Sequence, residues 1–393
     1  MGKIGGIVRL EDLNLKEIFV QLESEFYNRL NQKIKTIGIT KLAESLKISN
    51  RILLHWLNEK EKCLIRLDVL TKVCTYFNLN FADKIIYLRG KDGRGIKNPK
   101  LPFDFNNIEG VRIVAGIMGD GGISFTRKSP YYTNSNSSLI EGYIADVISV
   151  FGDVEYTLER KPRKNCVVIV LSFSHLISSV LIELGIQRGK KVENNSNIPT
   201  FIFNLEDKCK FTFISQFFDD EGTVNLKARH LSLTSGCLSR YSTSNVLSDV
   251  KLLLGSLGIF SSDIYSFSTY DSCRGLPRTM WRLQINGQIQ LKKLGYNLIL
   301  RHELKRDKLQ QLINSYKRRV FRRKEFLSTY LGFMDDVGLS KGYFTSLDIS
   351  KKSGMAIGSC RNLFIQFNKR NLIQCIKPYS RYPYSDYGRY VLK

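Results

Sequence analysis

Two stretches about a hundred residues apart, IVAGIMGDG from Ile113 to Gly121 and ISQFFDDEG from Ile214 to Gly222, begin apolar and end in an acid followed by glycine. Glycine is costly inside a helix or strand but natural at a helix C-cap, so Gly121 and Gly222 read as stops. Asp120 and Glu221 then sit at helix C-termini, where the macrodipole is already partly negative. That is unfavourable for an unpaired carboxylate and favourable for one that helps hold a divalent cation. Val114, Ile117 and Met118 in one stretch, and Phe213, Phe217 and Phe218 around the other, call for burial. Ala115 and Gly119, four apart, would let a second helix approach closely. Two such helices side by side would bring their acids together. A pair of carboxylates with metal ions can activate water and stabilise both oxygens of an in-line phosphodiester displacement. One such stretch reads as a capped core helix with an incidental acid; two in register point to a site.

The stretches head two rough copies of one pattern between residues 102 and 318. The first runs helix EGVRIVAGIMGD, strand GISFTR, helix LIEGYIADVISVFG, strands VEYTLER and CVVIVLSF, helix LISSVLIELG. The second runs helix FTFISQFFDDE, strand GTVNLKAR, helix NVLSDVKLLLGSLG, strands DIYSFS and TMWRLQING, helix IQLKKLG. The expectation is an α+β core of two similar halves, 102–205 and 206–318, related by a pseudo-two-fold axis.

Sixty Lys and Arg against 36 Asp and Glu leave a formal net charge of +24. A balance of that size favours a polyanionic partner, nucleic acid first. No apolar run approaches the ~20 residues that span a bilayer, and no basic amphipathic helix stands out for a membrane surface. The N-terminus lacks the apolar core of a signal peptide. Eight cysteines without a C-x-x-C pair and four scattered histidines exclude zinc-finger spacing and read as reduced thiols of a cytoplasmic protein. Period-two alternation in TVNLKAR puts Val224, Leu226 and Ala228 on one face and Asn225, Lys227 and Arg229 on the other. In WRLQIN, Arg282, Gln284 and Asn286 oppose Trp281, Leu283 and Ile285. Ser124, Thr126 and Lys128 repeat the pattern weakly in the first half, whereas CVVIVL is apolar on both faces. These polar side chains are of the kind that read base edges in a major groove.

Residues 1–92 read as helical. ITKLAESLKISNRILLHWLNEK forms two short amphipathic helices around KIS, a helix-turn-helix candidate with Ser49 or Asn50 as N-cap. RGKDGRGIKNPKLPFDFN reads as a linker leading to the core at 100–318. Residues 325–393 read as two helices and a hairpin with a Tyr/Arg/Pro tip, the order of a winged helix, with KRRVFRRKE just before it.

IVAGIMGDG and FISQFFDDEG resemble the nine-residue motif of the LAGLIDADG homing endonucleases, and the resemblance covers about residues 100–318. It implies a monomer with two αββαββα halves, motif helices at the pseudo-dimer interface, and a saddle of sheet on double-stranded DNA. It also implies Mg2+-dependent cleavage of both strands at a long asymmetric site, with Mn2+ as a substitute ion. Asp120 and Glu221 match the family's metal-binding acids, with Gly121 and Gly222 beside them. The joints LGIQRGKKVENNSNIPTFIF and LKRDKLQQL also look like the family's. Gln216 and Asp220 depart from the small residues usual at those places. His175 and Gln288 stand where relatives carry an active-site basic residue, with Lys190 and Lys191 as alternatives. The expected function is a site-specific double-strand DNA endonuclease, intron-encoded or free-standing. An intein is disfavoured by a start at Met and an end in VLK. The rivals are an RNA maturase that binds intron RNA and assists splicing, and a DNA-binding regulator of the same fold that does not cleave.

Overall fold

The computed structural model describes residues 5–58, 64–163, 166–271, 276–315, 326–378 and 388–393. The chain is a mixed α and β protein whose strands form small antiparallel sheets.

The first hundred residues are not all helical, as the sequence suggests, but mixed. They run β1 (Ile7–Val8), β2 (Phe19–Leu22), α1 (Ser24–Ile37), α2 (Ile39–Leu46), α3 (Asn50–Asn58), β3 (Ile65–Arg66), α4 (Leu67–Tyr76), β4 (Ile85–Arg89), β5 (Gly95–Lys97) and β6 (Phe103–Asp104). Residues 47–49 join α2 to α3, and the Ser49 hydroxyl accepts from the Arg51 N–H at 3.3 Å. Leu42, Ala43, Leu53 and Trp56 turn inward. The strands escape a helical-period reading because they are short. Alternation over three to five residues leaves little pattern.

The core follows as α5 (Ile108–Met118), β7 (Gly121–Ile123), β8 (Pro130–Asn134), α6 (Ser137–Phe151), β9 (Asp153–Val154), β10 (Tyr156–Arg163), β11 (Cys166–Phe173), α7 (His175–Glu183) and α8 (Lys191–Asn194). The second copy runs α9 (Asp207–Glu221), β12 (Gly222–Asn225), β13 (His230–Leu238), α10 (Asn245–Ser256), β14 (Tyr265–Asp271), β15 (Pro277–Asn286), α11 (Gln288–Asn297) and α12 (Glu303–Asn314). The two core sheets have matching orders, β10-β11-β8-β7 and β14-β15-β13-β12. Each half therefore repeats helix, hairpin, helix, hairpin, helix. The short β9 pairs with β5 and extends the N-terminal sheet to β3-β2-β4-β5-β9. The expected linker is thus no linker: it supplies β5 and β6, and one continuous apolar cluster runs from Val8 to Leu312.

The tail comprises α13 (Phe326–Lys341), β16 (Phe344–Thr345), α14 (Ser346–Ser353), α15 (Ile357–Lys369), β17 (Ile373–Lys377) and β18 (Arg389–Leu392), with sheet order β16-β18-β17. It has its own apolar cluster around Met334, Phe344, Ile349 and Phe364. Thr345 caps α14 reciprocally with Asp348. The hairpin tip and the run KRRVFRRKE lie outside the described residues.

Candidate active site at the paired helix ends

α5 and α9 lie against each other at the centre of the core. Val111, Ile113, Val114 and Ile117 of α5 and Phe213, Ile214, Phe217 and Phe218 of α9 are all at most 1% exposed. Each contributes roughly 1.5–3 kcal/mol of burial, so the apolar stripes decide the packing and the terminal acids follow.

The two helix ends differ in detail. Gly222 caps α9 through its N–H to Phe218 O, and Glu221 is the last helical residue. α5 stops earlier: Gly119 is the cap, and Asp120 lies just beyond the helix. Gly121 is therefore not a helix stop but the first residue of β7, paired with Tyr132. Neither Gly121 nor Gly222 has positive φ. Gly121 is required by close approach, since a Cβ there would lie 2.8 Å from Gly116 O, Ile117 Cα and Tyr131 O. At Gly119 a Cβ would fall 2.3 Å from Asp220 Oδ2. The missing side chain in one helix makes room for the acid of the other.

Three carboxylates converge there. Asp220 accepts from Tyr132 OH at 2.6 Å, from Gln216 Nε2 at 3.3 Å and from the Asp120 N–H at 3.5 Å. Asp120 accepts from Asn134 Nδ2 at 2.9 Å. Among the described residues no hydrogen-bond donor is placed on the Glu221 carboxylate. Burial pushes all three acids above their ordinary range. For Asp120 and Glu221 the charges of Lys191 and Lys305 counter this in part. The Asp120 charge raises Asp220 further.

Two lysines face the acids from matching places. Lys191 Nζ donates to Met118 O at 3.0 Å and to Gly119 O. Lys305 Nζ donates to Phe218 O at 3.1 Å and to Asp219 O at 2.6 Å. Each cation caps the last carbonyls of one motif helix, the favourable side of its macrodipole. Burial lowers the pKa of both, and the nearby acids raise it part of the way back.

Each lysine arm is held by the opposite half. α8, which begins with Lys191, is fixed to the second half by Asn195, whose Nδ2 donates to Thr243 O at 3.0 Å and whose Oδ1 accepts from the Asn245 N–H at 2.9 Å. The turn before α12 is fixed to the first half by Arg301, bidentate on the buried Asp146 at 2.5 and 2.8 Å. The same turn is gripped by Asp219, which accepts from the N–H groups of Arg301 at 2.8 Å and His302 at 3.3 Å. Burial pushes Asp219 up to about 6 against those hydrogen bonds.

Of the residues named from sequence, Asp120, Glu221 and Lys191 meet at this site. Gly121 and Gly222 adjoin it but open strands β7 and β12. Lys190 turns outward to pair with Glu193. His175 starts α7 beside the N-terminal domain, its N–H on Asp92 at 2.8 Å, and lines a small pocket with Glu17, Gly90 and Lys91. Gln288 starts α11. The cations placed beside Asp120 and Glu221 are Lys191 and Lys305. Lys305 escapes the sequence reading, although it lies in LKRDKLQQL. Aligning the repeat one helix further, to the joint after each half, pairs it with Lys191. Asn134 and Tyr132 escape because β8 is a short strand with no period of its own.

The nucleic-acid contacts expected on one strand face are divided. Arg282, Gln284 and Asn286 do alternate with the inward Leu283 and Ile285 on β15, and Asn225 joins their face from β12 through His230. Lys227 and Arg229 do not extend β12: residues 226–229 form its turn to β13, where Leu226 is exposed rather than inward. Arg229 takes a left-handed backbone and donates to Gly354 O of the tail. Ser124, Thr126 and Lys128 likewise lie in the turn between β7 and β8. In both hairpins the strand breaks after three or four residues, so the period of two ends there.

No protein-family model matches this chain. A stretch covering 64% of it is 22% identical over 262 residues to part of the glutamine–fructose-6-phosphate aminotransferase [isomerizing] of Methanocaldococcus jannaschii, 22% of that protein. A stretch covering 48% is 23% identical over 198 residues to part of the ribonucleoside-diphosphate reductase NrdEB subunit alpha of Bacillus subtilis (strain 168), 17% of that protein, with the same figures for the Bacillus phage SPbeta subunit. The chain matches about a fifth of the length of these curated relatives.

Proposed function

We propose that this protein is a DNA endonuclease of the LAGLIDADG type, cutting duplex DNA at the ends of α5 and α9. The observation that carries this reading is the pair of acids, Asp120 and Glu221, on adjoining helix ends, each beside a lysine that caps the last carbonyls of that same helix. Two halves with matched helix and sheet order support it, as does a net charge of +24. The α2–turn–α3 pair and the tail would add affinity for the same duplex. The relatives support a segment independent of either enzyme's reaction, since an aminotransferase and a reductase share no chemistry yet both align with this chain.

The donor set fits a hard divalent cation. Glu221 and Asp120 offer carboxylate oxygens with few protein partners, and burial keeps their negative charge costly even beside Lys191 and Lys305. Among the described residues no group of three or more His, Cys, Asp or Glu side chains is arranged to hold a metal. Mg2+ suits such a sparse site, because it keeps waters and takes its remaining oxygens from phosphate. When bound it would offset charge on the phosphodiester and make water easier to deprotonate. Asn134 orients Asp120, while Asp220, Tyr132 and Gln216 lock the halves together beneath it. Lys191 and Lys305 hold positive charge where the leaving and attacking oxygens gain negative charge.

The test is a library of randomised duplexes incubated with the full chain in Mg2+, with new ends sequenced. Recurrent cuts in one asymmetric sequence, abolished by chelator, are expected. Binding without cuts would make the protein a regulator; retention of structured RNA over duplex would make it a maturase. Binding should lose roughly 10³–10⁵ in affinity between 50 and 200 mM salt if 6–10 phosphates are contacted.

A further inference from the structure

The two core sheets share one frame but not one chemistry. In the second, β15 sets Arg282, Gln284 and Asn286 on the face turned away from Leu283 and Ile285. Registers place Thr234 opposite Arg282, Ser232 opposite Gln284 and His230 opposite Asn286. Gln284 Nε2 lies 3.3 Å from His230 Nε2. The Arg282 guanidinium stacks 4.0 Å over Phe267, and its Nε is buried without a partner. That face is a row of amide, guanidinium and hydroxyl groups.

Strand β11 holds the equivalent place in the first sheet. Gly122 pairs with Tyr131 and Tyr131 with Ser172, just as Thr223 pairs with Ser232 and Ser232 with Gln284. Ser172 thus corresponds to Gln284, Val170 to Arg282 and Val168 to Met280. Val168 and Val170 lie half-buried on the face turned away from Leu171 and Phe173. Their other neighbours are Thr133, opposite Val170, and Glu159 and Lys161 on β10, which pair with each other at 3.1 Å. The charges there neutralise one another and leave branched methyl groups at the centre of the strand.

We infer that the two sheets read different base chemistry: Val168 and Val170 contact thymine 5-methyl groups in one half-site, while Arg282, Gln284 and Asn286 read purine edges in the other. The inference rests on the duplex-DNA reading above. Apolar side chains recognise the thymine methyl in the major groove, whereas Arg selects guanine and Gln or Asn selects adenine. Val168 and Val170 themselves carry no donor or acceptor for a G·C pair, so the base pairs they meet should be A·T. It explains why CVVIVL is apolar on both faces: Ile169 and Leu171 on one face pack into the core, and Val168 and Val170 on the other meet the ligand.

The test uses the full chain and a duplex selected from a random library without divalent metal. Thymines are replaced by uracil in one half-site at a time, which removes the methyl and leaves the pairing edge. Each contacted methyl lost in the valine half-site should weaken binding about fourfold, with less than twofold change in the other half. Val170→Arg should add a guanine preference of about tenfold or more at one position of that half-site. Arg282→Val should remove one from the other half. Equal uracil sensitivity in both halves, or none in either, would overturn the inference and leave the endonuclease reading standing. Failure to select any duplex would overturn both.

Discussion

The two motif helices solve one packing problem with opposite side chains. The first ends Met118-Gly119-Asp120, stops at Gly119 and leaves Asp120 beyond its last turn. The second ends Asp219-Asp220-Glu221 and stays helical through Glu221. All the room is in the first and most of the acid in the second. Asp219 grips the turn that leads to Lys305, while Asp220 fills the space over Gly119 and bonds to Tyr132. The first half has no such grip, and its Lys191 arm is held by Asn195 against the second half instead. Pseudo-symmetry here preserves the positions of an acid and a lysine, not the means of holding them.

The hardest blow to this comparison would be an unequal loss on removing the acids. Glu221→Gln and Asp120→Asn should each cut cleavage of at least one strand roughly 10²–10³-fold, the scale of losing one stabiliser of transition-state charge. DNA affinity should stay near native. Native rates on both strands in both variants would remove these acids from the chemistry.

The lysines come next. Lys191→Met and Lys305→Met should each lower cleavage about 10–100-fold, as supporting groups do. Strand-resolved nicking checks whether each acts on one strand. A loss confined to one lysine would mean that only one arm serves the reaction.

The packing contrast is tested by stability. Gly119→Ala should cost about 1–3 kcal/mol in urea unfolding, because its Cβ meets the Asp220 carboxylate. In an Asp220→Gly background, which removes the Asp220 Cβ 2.7 Å away as well as the carboxylate, that cost should vanish. If it persists, the Gly119 backbone rather than Asp220 demands glycine.

The smallest effect is a pH dependence. Burial raises the folded pKa of Asp120 above its ordinary 3.8, so its contribution to stability is present below that value and lost as pH rises through the folded pKa. The amide introduced by Asp120→Asn keeps an acceptor for Asn134 and carries no charge. Without divalent metal, Asp120→Asn should therefore melt higher than the parent at pH 7, with the gap closing below about pH 4. A gap that widens on acidification would show that Asp120 is stabilised as a carboxylate.

Much of the site was legible in the chain. Apolar residues at helical spacing, an acid and a glycine state that a buried helix stops beside a charge, and the repeat states that this happens twice. Alternation along WRLQIN placed Arg282, Gln284 and Asn286 together because a strand has only two faces. Local sequence was less reliable where elements are short. Strands of two to five residues in the first hundred positions, and the breaks after Ile123 and Asn225, show no period long enough to read.

What the tertiary structure alone decided is where distant groups meet. Lys305 lies 86 positions from the Asp219 carbonyl it caps, and Arg301 lies 155 from Asp146. The choice of Gly119 for Asp220, and of Tyr132 as its hydrogen-bond donor, depends on how two helices from different halves cross. Periodicity comes from the backbone of a single element, so it is written locally. Complementarity between elements depends on side chains far apart in the chain, and only the packed core brings them within a hydrogen bond of each other.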